Sequence, residues 1–409
     1  MNTSEFIQAH RASDPRELAF QASRYPDVDM VYALDQIQGW QTARRKLPSW
    51  AAADGVVYPP RLSMEQCSSE STARYKAALA SHWAELVAAQ CSDGDAASAS
   101  MADLTGGFGV DFSFVSRSFS RATYVERNEA LCRVVEGNLS RLGISNAIVE
   151  CAEAEEWLAE AEPRTMLFLD PARRDATGAK TVLIADCSPD VEQLLPMLMA
   201  KSLFTMVKLS PMLDWHKAVA DLRGMVREVH IVSVGGECKE LLLVLSNRVC
   251  QPTSVVCVDL NALGTERSRL SYVLGEAQPI AAAAPSVDTP PTHLFEPNAS
   301  VMKAGCFALV ESRYGVRQVA PNSHLFLAQS AVENFPGRAF VVDAVTTLNK
   351  RELRHTLSGI SKANVAVRNF PMAAVELRKR LKLKDGGDVY IFATTVVDGS
   401  HLLFICHKC

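Results

Sequence analysis

The chain has 409 residues, of which 48% are hydrophobic and 22% charged, and its net charge is −4. This composition is typical of a globular protein and excludes a disordered chain or a general binder of polyanions. The length predicts two or three domains. No apolar run approaches the roughly 20 residues of a membrane span, and the N-terminus lacks the features of a signal peptide. Eleven irregularly spaced cysteines indicate reduced thiols, and hence a cytoplasmic protein.

Residues 1–95 are predicted to form an N-terminal helical domain, because apolar residues recur at helical spacing in Val28–Ile37 and Thr72–Cys91. The segment between them, Tyr58–Glu70, is polar and marked by prolines. It has two interpretations, and both stay open. One is a loop that caps the next helix, and the other is a lid that crosses a ligand site, since the segment precedes the first strand.

A glycine-rich turn follows the first predicted strand, 99–102, and opens a helix. Its glycines would let the backbone approach a bound cofactor closely; they are Gly106, Gly107 and Gly109. A dinucleotide fingerprint would need a small residue where Phe112 stands. An ordinary tight turn is the alternative for the loop, but an acidic residue, Asp103, directly precedes it.

The next two strands also end near carboxylates. Arg121–Glu126 is predicted as the second strand, with Asn128 as N-cap of the following helix, and Ala147–Cys151 as the third strand, leading to Glu153. In a doubly wound sheet, a carboxylate at the tip of the second strand can accept both ribose hydroxyls of an adenosine cofactor. A solvated strand end is the alternative for Glu126.

The fourth strand, Met166–Leu169, is an unbroken apolar run, as expected for a strand buried on both faces. It leads into the motif Asp170-Pro171-Ala172-Arg173-Arg174. The fifth strand, Phe204–Leu209, continues into Ser210 without a cysteine, which disfavours a covalent cysteine mechanism. Cys187 is interpreted as an incidental thiol. The hairpin Arg227–Val234 and Lys239–Leu245 completes seven strands.

These motifs together resemble class I S-adenosylmethionine (SAM)-dependent methyltransferases. The resemblance implies an α/β Rossmann-like seven-stranded domain over 96–248, in which Ala152-Glu153-Ala154 matches the family's adenine motif. Asp170–Arg174 resembles the Asp-Pro-Pro-aromatic motif, with Ala172 and Arg173 in place of the second proline and the aromatic. The implied SAM-binding residues are Asp103, Thr105, Gly106, Gly107, Gly109, Glu126 and Glu153, and the implied catalytic residues are Asp170, Pro171 and Arg173.

The remainder of the chain, 249–409, has a different pattern. A proline- and alanine-rich segment, 278–291, is predicted to be a flexible excursion. A strand–helix–strand–strand unit follows, with elements at Asn364–Arg368, Met372–Leu381, Val389–Val396 and Leu402–Cys406. Over the whole chain the sequence resembles bacterial class I methyltransferases with a C-terminal THUMP-like domain. That resemblance implies an RNA substrate, tRNA or rRNA.

Charge patterning agrees with an RNA partner. Between Lys350 and Lys384, ten Lys or Arg residues stand against two acids, which makes the rest of the chain strongly acidic. The predicted phosphate contacts are Arg378, Lys379, Arg380, Lys382 and Lys384. A solvated helix face is the alternative. The C-terminal Cys406-x-x-Cys409 spacing has no partner pair nearby, so no metal is predicted.

The sequence thus predicts a SAM-dependent RNA methyltransferase of three parts, in which Asp170 orients an amino or ring nitrogen for direct methyl transfer. Two rivals stay open: a non-catalytic SAM-binding RNA adaptor, and a methyltransferase that acts on protein or a small molecule. Arg173, Arg174 and Lys208 are further candidates for holding a phosphate or the base.

Overall fold

The computed structural model describes residues 1–90, 99–173, 183–276 and 291–409, apart from the side chains of Leu62 and Arg173. The chain forms two compact units. Unit 1 comprises Met1–His230, Lys239–Ser254 and Leu260–Thr265, and unit 2 comprises Ile231–Cys238, Val255–Asp259 and Glu266–Cys409. The predicted flexible excursion lies outside the described residues as far as position 290. The domain boundaries at 95/96 and 248/249 stay predictions.

Unit 1 begins with helices α1 (Thr3–His10), α2 (Pro15–Phe20), α3 (Met30–Lys46), α4 (Pro48–Ala52), α5 (Arg61–Gln66) and α6 (Glu70–Gln90). The helices α3 and α6 correspond to the two predicted ones. Helix α5 was not expected, because its sequence is short and follows two prolines. Lys46 donates hydrogen bonds to the carbonyls of Met64 (2.9 Å) and Glu65 (2.7 Å), which satisfies acceptors that the last turn of a helix leaves open.

A sheet follows, built from β1 (Ser100–Asp103), β2 (Arg121–Glu126), β3 (Ala147–Cys151), β4 (Arg164–Leu169), β7 (Ser202–Leu209), β8 (Val226–Val234) and β9 (Glu237–Leu245). The two-residue strands β5 (Ala172–Arg173) and β6 (Cys187–Ser188) pair with each other in a separate small sheet. Helices between the strands are α7 (Val110–Val115), α8 (Glu129–Arg141), α9 (Ala154–Glu160), α10 (Val191–Lys201) and α11 (Trp215–Asp221). Asn128 caps α8, as predicted.

The hydrogen-bonded order in this part of the sheet is β3-β2-β1-β4-β7-β9-β8. Strands β3, β2, β1, β4 and β7 are parallel, and β9 runs antiparallel to β7. Parallel pairing brings the carboxyl ends of β1 to β4 to one edge, where ligands bind in open α/β sheets. The sheet therefore gathers the predicted site residues at that edge.

Helix α6 packs against this sheet through one buried face. Trp83 lies 5.8 Å from the Phe204 ring, centroid to centroid, and its indole N–H donates to Glu228 (2.8 Å). The buried positions Ala73, Lys76, Ala80, Trp83 and Val87 recur at helical spacing. One of them is a lysine, so α6 carries a charge into the interior of unit 1.

Unit 2 contains most of β10 (Ser254–Leu260) and β11 (Glu266–Val273), and then β12 (His293–Pro297), α12 (Ala299–Ala304), α13 (Phe307–Tyr314), β13 (Arg317–Gln318), β14 (Phe326–Ala328), β15 (Gly337–Thr346), α14 (Lys350–Thr356), β16 (Asn364–Arg368), α15 (Ala374–Leu381), β17 (Val389–Thr395) and β18 (His401–Lys408). Strands β12 to β18 form a sheet in the order β13-β14-β12-β15-β18-β17-β16. The predicted strand–helix–strand–strand unit corresponds to β16, α15, β17 and β18.

Both faces of β17 and β18 are buried. Phe392 and Phe404 belong to one core cluster, whereas Ile391 and Leu403 belong to another, which includes Leu377 of α15. Alternate residues of a strand point to opposite faces, and this alternation accounts for the apolar runs seen in the sequence. None of the helices in the described ranges is long and apolar enough to cross a membrane.

Candidate active site

The glycine loop between β1 and α7 has a conformation that needs its glycines. Gly107 and Gly109 have positive φ angles of 53° and 74°, which residues with side chains rarely adopt. A Cβ at Gly106 would lie 2.2 Å from the ring of Tyr124. The Tyr124 hydroxyl donates to the Gly107 carbonyl, so a residue of β2 holds the loop against the strand tips.

Asp103 and Thr105 tie this loop to the fourth strand. The Asp103 carboxylate is buried and accepts from the Thr105 backbone N–H (3.0 Å). Burial holds the pKa of Asp103 well above its usual range, and the nearby Asp111 and Asp170 add to the shift. The Thr105 hydroxyl oxygen accepts from the backbone N–H of Asp170 (2.6 Å). The tips of β1 and β4 are therefore joined through one threonine.

Glu126, at the tip of β2, spans two neighbouring backbone groups. Its carboxylate accepts from the N–H of Gly107 (3.1 Å) and the N–H of Asn128 (2.9 Å). Glu153 is exposed at the N-cap of α9, 3.8 Å from the guanidinium of Arg127. Glu126 is thus held by the glycine loop, whereas Glu153 has only a weak surface partner.

A cleft of about 770 Å³ opens at this edge of the sheet, a volume typical of cofactor sites. Its lining includes eight of the predicted residues, namely Asp103, Thr105, Gly106, Gly107, Gly109, Glu126, Glu153 and Asp170. Pro171 is buried and is not part of the lining. The side chain of Arg173 and the whole of Arg174 lie outside the described residues. Lys208 does not line the cleft in the described residues.

The segment before α6 forms one wall of the cleft. Tyr58, Ser63, Cys67 and Ser68 all line it. Tyr58 is anchored by Gln36, whose side-chain amide donates to the Tyr58 carbonyl (2.9 Å) and accepts from its N–H (2.8 Å). The N-terminal helices therefore contribute directly to the candidate site, as the lid interpretation of this segment requires.

A cluster of buried charges lies behind Asp170. Lys208, at the end of β7, pairs with the Asp170 carboxylate and lies 3.8 Å from Asp111. Lys76, on the buried face of α6, is 3.2 Å from Asp111 and 2.7 Å from Glu240. Burial opposes the charge of Lys208, but the surrounding carboxylates outweigh it and raise the pKa of this lysine. Burial likewise opposes the charge of Asp111, yet Lys76 and Lys208 lower its pKa.

Sequence reasoning missed this cluster. The available signals were a lysine on the apolar face of α6 and a glutamate within the apolar strand β9, and each suggests a buried partner. Nothing in the sequence pairs them, because Lys76 and Glu240 are 164 positions apart.

Two cysteines near the cleft, Cys187 and Cys67, are poorly suited to act as nucleophiles. Cys187 is buried in β6 and is not part of the lining. Cys67 does line the cleft, but burial raises its pKa, which keeps the thiol in its unreactive protonated form. Within the described ranges, no group of three or more His, Cys, Asp or Glu side chains is arranged to hold a metal ion.

The candidate RNA-binding residues lie in unit 2. Lys379 and Arg380 are exposed on α15, and Lys382 is its C-cap. Lys384 is also exposed and forms an isolated β-bridge with Lys362. Arg378 instead forms an ion pair with Asp385. The five predicted cations therefore do not share a single helix face, since α15 ends at Leu381. Four of the five predicted cations remain exposed.

Comparisons with known proteins agree with this architecture. Residues 337–408 match the family described as THUMP domain-like, and residues 293–336 match a family described as a ferredoxin-like domain. A search of the curated proteins found no match. The chain superposes on a crystal structure of a "putative methyltransferase from Porphyromonas gingivalis W83" with a TM-score of 0.83 and 28% sequence identity, covering 100% of this chain and 97% of the other.

Two further solved structures match only part of the chain. A "Putative methyltransferase yhhF from Escherichia coli" has a TM-score of 0.27 and 19% identity, covering 36% of this chain and 76% of the other. An O-methyltransferase from Bacillus cereus in complex with SAH has a TM-score of 0.33 and 10% identity, covering 50% and 100%. At these TM-scores neither match bears on the function of this chain.

The fold and the cleft define a protein with the class I methyltransferase fold and a C-terminal THUMP-like domain, which confirms the predicted fold class and the resemblance stated from the sequence. More particularly, the chain is similar from end to end to the Porphyromonas gingivalis protein.

Proposed function

We propose that this protein is a SAM-dependent methyltransferase that acts on a base of structured RNA, tRNA or rRNA, by direct transfer to an amino or ring nitrogen. The observation that carries the proposal is the cleft at the carboxyl ends of β1 to β4, where Glu126, the glycine loop and Asp170 line one space. Bound SAM supplies a methyl group already activated on a sulfonium, so that no metal is needed.

The cleft suits an adenosine cofactor with a methionine tail. Glu126 would accept hydrogen bonds from the ribose hydroxyls, and Glu153 would lie near the adenine amine. The glycine loop, with the buried Asp103 behind it, would allow the cofactor to approach the backbone. Asp170 would face the acceptor, accept a hydrogen bond from the reacting nitrogen and aim the lone pair of that nitrogen at the methyl. Pro171 and Arg173, the other predicted catalytic residues, follow Asp170 in the chain, but Pro171 does not line the cleft. Positioning of the acceptor against the methyl group and exclusion of water would supply most of the rate enhancement.

Glu126→Ala is expected to weaken SAM binding by about 10- to 100-fold or more, because even one charge-assisted hydrogen bond to the ribose is worth about 1.5–3 kcal/mol. Isothermal titration calorimetry measures the effect directly. Glu129→Ala is the matched control, since Glu129 is exposed on α8 and pairs with Arg133. Glu126→Gln removes the charge and keeps one acceptor oxygen, which can hold the N–H of Gly107 or that of Asn128 but not both. Unchanged affinity in Glu126→Ala would remove this residue from the site, and NAD binding without SAM binding would overturn the proposal.

The RNA part of the proposal is supported by the THUMP domain-like match at 337–408 and by exposed cations within it. If Arg380 and Lys382 neutralise phosphates, Arg380→Ala with Lys382→Ala should reduce the slope of log affinity against log salt by about 0.7–0.9 for each lost contact. The measurement is RNA binding across a salt series, with thermal melting as a check of the fold.

The control for that experiment is Arg267→Ala with Arg317→Ala, two arginines of unit 2 outside the THUMP-like match. An unchanged slope in the Arg380→Ala, Lys382→Ala variant means that these cations are only solvated. An equal reduction in both double variants means that RNA is held by general positive charge rather than by the residues around α15. A helix-dipole role alone, which cations near a helix C-terminus also have, would change the melt but not the slope.

Transfer of a tritiated methyl group from SAM to undermodified RNA and to total protein distinguishes the proposal from its rivals. Labelled RNA supports the RNA methyltransferase. Labelled protein or small molecules would support the rival methyltransferase that acts on those substrates. RNA binding without any transfer would favour a non-catalytic adaptor.

A further inference from the structure

The ammonium group of Lys208 lies between the cleft and the interior of unit 1. Its side chain is 14% exposed and pairs with Oδ2 of Asp170, which is 40% exposed and lines the cleft. The same ammonium is 3.8 Å from Oδ2 of Asp111. The structure gives Oδ1 of Asp170 no partner among the residues it describes. Lys208 therefore occupies one oxygen of Asp170 and leaves the other for a ligand.

Asp111, the second carboxylate near Lys208, is itself held by two residues, one just before α6 and one on it. The Ser68 hydroxyl donates to Oδ2 of Asp111 (2.7 Å), and Lys76 is 3.2 Å from Oδ1 of the same carboxylate. Lys76 also pairs with Glu240 at 2.7 Å. Because Asp111 is held by Ser68 and Lys76, and Lys76 is held in turn by Glu240, the Lys208 ammonium has little freedom to move.

The charges in this cluster do not balance. Two ammonium groups, Lys76 and Lys208, face three carboxylates, Asp111, Glu240 and Asp170. Of the three, Asp170 is the most exposed. Asp111 also lines the cleft, but it is buried and faces both ammonium groups, so the excess negative charge lies on Asp170.

We infer that Lys208 is a positioning residue for the proposed methyl transfer: it holds Asp170 through Oδ2, so that Oδ1 accepts a hydrogen bond from the reacting amine or ring N–H. The N–C bond would form as the C–S bond of SAM breaks, and the proton of the methylated nitrogen would pass to solvent. This inference rests on the proposed function and assigns Lys208 a part in it. It replaces the sequence-based alternative of a phosphate or base ligand, because an ammonium engaged by two carboxylates has little capacity left for a third anion.

Lys208→Met tests the inference, with Lys217→Met, an exposed lysine on α11, as the matched control. We expect Lys208→Met to lower kcat by about 10- to 100-fold, as a misplaced reacting group does, and to leave SAM affinity by calorimetry within a few-fold. Lys208→Arg, which keeps the charge and a donor, should restore part of the lost kcat. A purely structural role would lower SAM affinity and kcat together.

Should Lys208→Met melt below the assay temperature, Lys208→Met with Asp111→Asn removes one cation and one anion together and keeps the Lys76–Glu240 pair. The same loss of kcat is expected there. Wild-type kcat in a folded Lys208 variant, or a parallel loss of SAM binding, overturns the inference alone. A wild-type protein that neither binds SAM nor transfers methyl groups overturns the proposed function, and the inference with it.

Discussion

Asp170→Asn is expected to lower the kcat of methyl transfer by about 10²-fold or more, with SAM affinity within a few-fold of wild type. The neighbouring Lys208 makes this substitution severe although it preserves size. Its ammonium can only donate, so the amide oxygen of the new side chain should turn toward it. The amide NH₂ would then face the cleft and present a donor where the reacting nitrogen needs an acceptor.

Single-turnover methyl transfer and calorimetric SAM titration, made on the same preparations, separate the two effects. Asp221→Asn is the control, since this carboxylate pairs with Lys217 on α11 and does not line the cleft. Equal losses of SAM binding and turnover in Asp170→Asn would make Asp170 a cofactor ligand. A turnover close to wild type would remove it from the chemistry altogether.

Of the substitutions proposed for this protein, Lys76→Met should lower the free energy of unfolding the most. Lys76 is fully buried between Glu240 and Asp111, and removing it leaves Glu240 without its only cation within ion-pair distance among the described residues. Breaking a buried pair from one side costs about 3–5 kcal/mol. The corresponding exposed pair, Arg133 with Glu129 on α8, is worth about 0.5 kcal/mol or less, so Arg133→Met is the control.

Urea unfolding followed by tryptophan fluorescence is the measurement, because all five tryptophans of the chain lie within Met1–His230 and report on unit 1. Lys76→Met with Glu240→Met removes both charges and should recover most of the lost stability, since the loss comes mainly from the unpaired carboxylate. A single variant as stable as Arg133→Met would mean that the buried pair contributes nothing.

Much of unit 1 could be predicted because its elements carry local signals. The bounds of β2 and β3 agree with the predicted strands, and Asn128 caps α8 because an Asn side chain accepts from the N–H three residues on. Gly107 and Gly109 before α7 mark a loop with positive φ angles, which other residues rarely adopt. Helix α5 was not predicted, because it is short and follows two prolines.

The roles of the predicted site residues, the target base and the cytoplasmic location stay predictions. The structure brings eight of those residues to one cleft. It also shows that two of them differ in environment: Glu126 is held by two backbone N–H groups, whereas Glu153 is exposed. It changes the candidate RNA surface as well, because Arg378 pairs with Asp385. A charge count along the chain does not register such pairs.

The sequence by itself determined the fold class, the succession of strands along the chain and the edge of the sheet where the candidate site lies, because periodicity, caps and turn residues act over a few positions and parallel strands bring their carboxyl ends together. Only the tertiary structure decided what surrounds Asp170. Lys208, Asp111, Lys76 and Glu240 come from four different elements, and their meeting depends on how α6 and α7 pack against β7 and β9. The energy of buried charges depends on such distant partners, and no local pattern records it.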